Sequence, residues 1–212
     1  MTSKKKETRI LGIVIGILII TGVGLSGIHY MREPYNSGFI EYSKTTTLHI
    51  IPGVIYLLLA PFQFLTSIRT KWIDFHRWVG RLLFILTLLV GATAFFMAVV
   101  IPFSGKIESV IVGFFALLFL LAIVKGFISI RSKNILLHRE WMIRAFSLGI
   151  AIATSRIIFL PLFFSLVSPT LEQVKTLFII SFALAFIGHV IIAELWIRKT
   201  RAQHGSLPTE IN

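Results

Sequence analysis

SIRTKWIDFHR, residues 67–77, is written a second time as SIRSKNILLHR at residues 129–139. Seven of the eleven positions are identical, and Thr70 with Ser132 and Phe75 with Leu137 are conservative exchanges. No gap is needed. Each copy follows one long apolar run and precedes another, so each marks a basic turn between two helices of a hairpin.

Working outward, the flanking runs are long enough to cross a bilayer, whose hydrocarbon core of about 30 Å takes roughly 20 helical residues. Six such runs fall at about 10–31, 47–68, 80–102, 108–130, 141–166 and 173–197. With 56% hydrophobic and only 14% charged residues, the chain cannot cover an apolar core with polar surface as a soluble domain does. The reading is an all-α membrane protein of six transmembrane helices (10–197), between a basic tail (1–9) and a C-terminal tail (198–212). The long apolar first run argues for a retained span rather than a cleaved signal.

Fifteen of the 21 Lys and Arg residues fall in the N-terminal tail, the segments Arg69–Arg81 and Arg131–Arg144 around the two copies of the repeat, and the segment after the last run. Only Arg32, Lys44, Lys106 and Lys175 fall on the other side, and Lys125 and Arg156 lie inside helices. The positive-inside rule then puts both termini in the cytoplasm, in a multi-pass protein of the inner cell membrane. The net charge of +12 reads as topology plus attraction to anionic lipid headgroups rather than as a nucleic-acid surface. Cysteine is absent, which excludes disulfides, iron–sulfur clusters and thiolate chemistry and leaves His, Met and Tyr for any redox centre.

Both hairpins (about 47–102 and 108–166) run in the same direction, as parallel repeats related by an axis along the membrane normal. They predict a central four-helix bundle of spans two to five, with spans three and five diagonal and His76 and His138 at one depth. A haem b iron takes two axial ligands on opposite faces, so these histidines are candidate metal ligands. Arg77, Arg81, Arg139 and Arg144 are candidate partners for its propionates, which guanidinium binds by forked hydrogen bonds. Electrons would come from a quinol or a redox partner protein. A simpler reading stays open: basic residues beside Trp72, Trp78 and Trp141 anchor any membrane hairpin.

HRWVGR (76–81) and HREWMIRAFSLGIAIATSRIIFLPL (138–162) resemble the HR-x-x-GR and HR-x-WM-I-R motifs, followed by a later intrahelical Arg, of a bacterial family of predicted membrane proteins, domain of unknown function 2306. The resemblance covers about 49–165 and implies a multi-helix membrane protein of unassigned biochemistry. Ala145 and Phe146 stand where the family often has Ser-Tyr. The His-Arg-x-x-Gly start of a span is also similar to cytochrome b561-like proteins, which implies haem b between helix histidines.

Other polar residues lie within the spans. His49, Tyr56 and Gln63 recur every seven residues, one helical stripe about 21 Å long. It reads either as a cofactor slot or proton path, or as interhelical hydrogen bonds. Pro52 suits a first turn and Pro61 a bend. Arg156 lies beyond the midplane with no Asp or Glu expected at its depth, where an unpaired guanidinium costs at least about 3 kcal/mol. It needs a partner: Tyr56, His49, carbonyls near Pro161, or a bound anion. His189 reads as bundle-facing, and Lys125 as reaching the interface. No HExxH, GxSxG or intramembrane Asp pair marks a hydrolase. Two functions compete: a bis-His haem electron-transfer protein, with Arg156, His49 and Gln63 also near the cofactor, and a haem-free small-molecule, lipid or proton-linked protein built on Arg156. A structural membrane partner is the third.

Overall fold

The computed structural model describes residues 38–205 and, before them, Gly16 alone. The expected span at 10–31, with His29, and the N-terminal tail otherwise lie outside the described residues. The described chain is helical: a single turn α1 (Gly38–Glu41), α2 (Ser43–Leu59), α3 (Thr66–Lys71), α4 (Ile73–Val100), α5 (Lys106–Arg131), α6 (Ile135–Phe164) and α7 (Leu171–Gly205). Five helical stretches are long and apolar enough to cross a membrane: Ser43–Phe64, Ile73–Val100, Lys106–Arg131, Ile135–Phe164 and Leu171–Ala202.

These helices start and stop where backbone chemistry dictates, often outside the apolar runs. The second begins at Ser43, before the expected 47. Pro52 therefore sits inside α2 rather than in its first turn. Thr46 helps extend the helix backward, its hydroxyl donating to the Tyr42 carbonyl at 3.1 Å. Pro61 acts as expected: the chain tightens into a 3₁₀ turn over Ala60–Phe64 and leaves the helix at Leu65.

The two copies of the repeated stretch restart their helices in register. α4 resumes at Ile73 and α6 at Ile135, paired positions of the alignment. The His76 N–H donates to the Trp72 carbonyl and the His138 N–H to the Asn134 carbonyl, each at 2.9 Å. Equivalence ends at the caps and upstream. Asn134 accepts from the Leu137 N–H at 3.0 Å, while Trp72 makes no side-chain cap. The first copy opens in the short α3, just after the 3₁₀ turn, and the second in the last turn of the unbroken α5.

α4 packs between α2 and α5, α5 against α6, and α6 against α7. Aromatic contacts join α2 and its 3₁₀ turn to the far helices: Tyr56 meets Phe119 edge-on at 5.9 Å and Phe64 lies 4.9 Å from Phe146. α2, α4, α5, α6 and α7 thus share one interior, α7 entering it through Phe182 and Phe186, so the core is not confined to the four spans that the repeat predicts. Lipid offers no hydrophobic reward for helix contact, so close packing of small residues must supply it. Ala122, Ala145, Ala151, Ala153, Ser155, Ser181 and Ala185 are accordingly among the most buried side chains. Gly149 shows the tolerance: a Cβ there would stand 2.5 Å from Tyr56 Cε1 and 2.8 Å from its hydroxyl. Large side chains such as Phe114, Leu121, Ile187 and Leu195 are exposed, as lipid-facing positions should be.

Candidate functional site

The candidate residues divide between the two ends of the bundle and the stripe that connects them. Along the stripe, His49 Nδ1–H donates to the Val90 carbonyl at 3.2 Å, with Thr93 Oγ1 at 3.1 Å. Tyr56 donates across to the Ala145 carbonyl, a long contact at 3.4 Å. His49 and Tyr56 therefore tie α2 to α4 and α6, the interhelical role rather than a slot. Gln63 lies against Gly80, its Oε1 3.7 Å from where a Cβ would be. Its Nε2 is buried with no hydrogen-bond partner.

At the end that carries the repeated stretches, His76 and His138 are half-buried and close enough for the charge of one ring to be felt at the other. His138 Nδ1–H donates to the Gly126 carbonyl of α5 at 2.8 Å, and His76 Nδ1 is buried without a partner. The arginines are arranged differently from expectation. Arg139 donates to Thr200 Oγ1 at 3.2 Å. Arg144 grips Glu194 with both arms of its guanidinium, at 2.5 and 3.0 Å, and lies over the Trp141 ring. Arg201 makes a second forked pair, with the buried Glu140, and Arg144 stands 4.0 Å from that same carboxylate. Arg77 pairs with Asp74 at the surface, and Arg81 is exposed.

Part of the expected propionate-binding set is committed elsewhere. Two of the four arginines expected to hold propionates are bound to α7 instead. The helix α5 is pressed against α6 at the level of His138, where a Cβ on Gly126 would collide with Met142 and touch Trp141. The described residues hold no group of three or more His, Cys, Asp or Glu side chains suited to a metal ion, although a bis-His haem needs only two.

Arg156 lies at the opposite end, and there the structure corrects the expectation that no acid shares its depth. Glu108, in the first turn of α5, is 8% exposed and within electrostatic reach of the guanidinium. The two do not form a direct ion pair: Glu108 accepts instead from the Ser104 backbone N–H. Arg156 lies 5.2 Å over the Phe178 ring, Phe178 meets Phe103 at 5.7 Å, and Lys175 stands 5.9 Å from the Phe103 ring. Two cations thus flank one aromatic pair. No hydrogen-bond acceptor for Arg156 is present among the described residues, and Ser104 Oγ is buried without a partner. Tyr56, His49 and the carbonyls near Pro161, its other expected partners, are engaged elsewhere or make no contact with it.

Sequence reasoning missed Glu108, Glu140 and Glu194. Glu194 is 50 residues from Arg144 and has no local pattern to connect them. For Glu108, its position in the first turn of a span was the available signal, since an acid there can fold back on the loop before it. His189, at 2.8 Å from Thr154 Oγ1, is the packing histidine that its face implied. Lys125 is exposed.

No curated protein and no solved structure matches the chain, so the likeness to cytochrome b561-like proteins gains no support. The model of one family, described as predicted membrane protein (DUF2306), matches residues 46–197. That range takes in most of the five spans, both repeated stretches, Arg156 and Glu194. The chain belongs to the DUF2306 family and is an integral membrane protein.

Proposed function

We propose that this protein binds a small organic anion inside the membrane, with Arg156 as its recognition group. One observation carries the reading: a half-buried guanidinium with no acceptor among the described residues, near a second cation and a carboxylate that is close but not in contact. A guanidinium left so in hydrocarbon costs at least about 3 kcal/mol, and a ligand carboxylate would offset that cost with forked, charge-assisted hydrogen bonds. Glu108 is within electrostatic reach but spends its carboxylate on the Ser104 backbone N–H. The rings of Phe103, Phe159 and Phe178 suit a ligand with an apolar body rather than a bare inorganic ion. In this reading the chain crosses the inner membrane six times with both termini cytoplasmic, and Arg156 lies toward the outer face.

Calorimetric titration of purified protein with benzoate, acetate and inorganic phosphate tests it. Benzoate should bind most tightly, and Arg156→Gln should weaken it at least about tenfold, since charged hydrogen bonds of this kind contribute roughly 1.5–3 kcal/mol. Equal binding by wild type and variant would remove the proposal.

A b-type haem between His76 and His138, reduced by a quinol or a redox partner protein, is the second reading. What favours it is His138: its Nδ1–H is held by a carbonyl, which leaves Nε2 available in the manner of a metal-ligating imidazole. The commitment of Arg139 and Arg144 to α7 weighs against it. A reduced-minus-oxidised haem spectrum that disappears in His76→Ala and His138→Ala supports this reading; colourless protein from haem-replete cells excludes it.

A further inference from the structure

Between the start of α6 and the end of α7 lies a cavity of about 260 Å³ lined by Leu136, Arg139, Glu140, Thr200 and Arg201. Its charges do not balance. Arg201 is satisfied by Glu140 and Arg144 by Glu194, but Arg139 stands in the field of Glu140 and Arg198 in that of Glu194, with no acid of their own among the described residues. Four arginines therefore share two carboxylates. Arg139 spends one N–H on Thr200, and its remaining N–H groups have no acceptor among the described residues. The cavity is short of an anion at the wall where Arg139 stands.

The surroundings separate a free anion from an anchored one. Trp196 and Ile192 precede Thr200 by four and eight residues, on the same face of α7 and one and two turns deeper into the apolar span. They are 48% and 61% exposed. The charged pocket and these exposed apolar side chains thus share one face of α7, an arrangement that suits a phospholipid better than a phosphate ion. We propose that this cavity is a headgroup site for an anionic membrane lipid, with Arg139 on the phosphate and an acyl chain along Trp196 and Ile192. Basic pockets between membrane helices bind anionic headgroups by the same chemistry, and the guanidinium fork supplies the geometry.

The test is calorimetric titration of the full-length protein in neutral detergent with dioctanoyl phosphatidylglycerol, dioctanoyl phosphatidylcholine and inorganic phosphate. Phosphatidylglycerol should bind saturably and at least about tenfold more tightly than the other two. Arg139→Gln should remove most of that preference, and Arg139→Lys should restore part of it. Trp196→Ala, which leaves every charged contact intact, should weaken phosphatidylglycerol severalfold, so the proposal stays testable if the arginine variants fold poorly. Equal affinity for the two lipids would overturn charge recognition. Phosphate binding as tight as phosphatidylglycerol, unaffected by Trp196→Ala, would overturn the lipid in favour of a free anion.

Discussion

Arg144 and Arg156 sit on one helix, twelve residues or about 18 Å apart, and the protein treats them in opposite ways. Arg144 is closed: both arms of its guanidinium end on Glu194, its plane lies over Trp141, and Glu140 and Arg201 form a second pair beside it. Arg156 is open: an aromatic ring beneath it, a carboxylate in reach that bonds elsewhere, and no acceptor among the described residues. The same side chain fastens α6 to α7 at one end and awaits a partner at the other. A satisfied charge in a membrane is architecture, whereas an unsatisfied one is a standing cost that a ligand can offset.

The comparison breaks most visibly at the closed end. Arg144→Gln leaves Glu194 as an unpaired carboxylate at the edge of the apolar span. Removing one partner of a buried pair costs about 3–5 kcal/mol, and partial exposure of this pair brings the expected loss to about 2–3 kcal/mol. Thermal unfolding in detergent would measure it, and Arg144→Gln combined with Glu194→Gln should recover more than half. No recovery in the double variant would mean that the pair is not what holds the two helices.

The packed middle that separates the two ends is tested by Gly149→Ala. The new methyl group must displace the Tyr56 ring, an overpacking cost of about 2 kcal/mol. A neutral result would show that α2 and α6 do not approach as described. The open end gives the opposite sign: Arg156→Gln should raise stability without ligand by about 1 kcal/mol, because it removes a charge that nothing accepts from. Smallest is Thr154→Val, which loses one interhelical hydrogen bond to His189 and should cost about 0.6 kcal/mol, read as a shift in the same melts.

The spans after the first were legible because hydrocarbon thickness imposes a length on apolar runs, and the repeated stretch marked the two turns, although the helices restart at Ile73 and Ile135, several residues before the expected 80 and 141. The true helix ends were not legible, since polar residues such as Ser43, His76 and Arg139 continue the backbone hydrogen bonds while hydropathy falls. Arg156 was visible as a costly residue from its depth alone. Glu108 was not, because an acid at a span boundary looks solvated until the fold turns it inward. Nor was the engagement of Arg139 and Arg144 with α7: both arginines lie in the motif that carries the family resemblance, but Thr200 and Glu194 come from a helix beyond it, with no sequence spacing to join them. His76 and His138 were placed at equivalent helix starts by the repeat, yet the space between them depends on side chains of α5, which the repeat does not describe.

Central to this account is that Arg156 is held ready for an anion. Melting of the wild type and Arg156→Gln, each with and without benzoate, tests that most directly. The predicted result is a variant that melts above the wild type in the absence of benzoate and gains nothing from it, while the wild type is stabilised as benzoate is added. A variant that melts well below the wild type, or that benzoate stabilises equally, would show that Arg156 is a structural residue like Arg144.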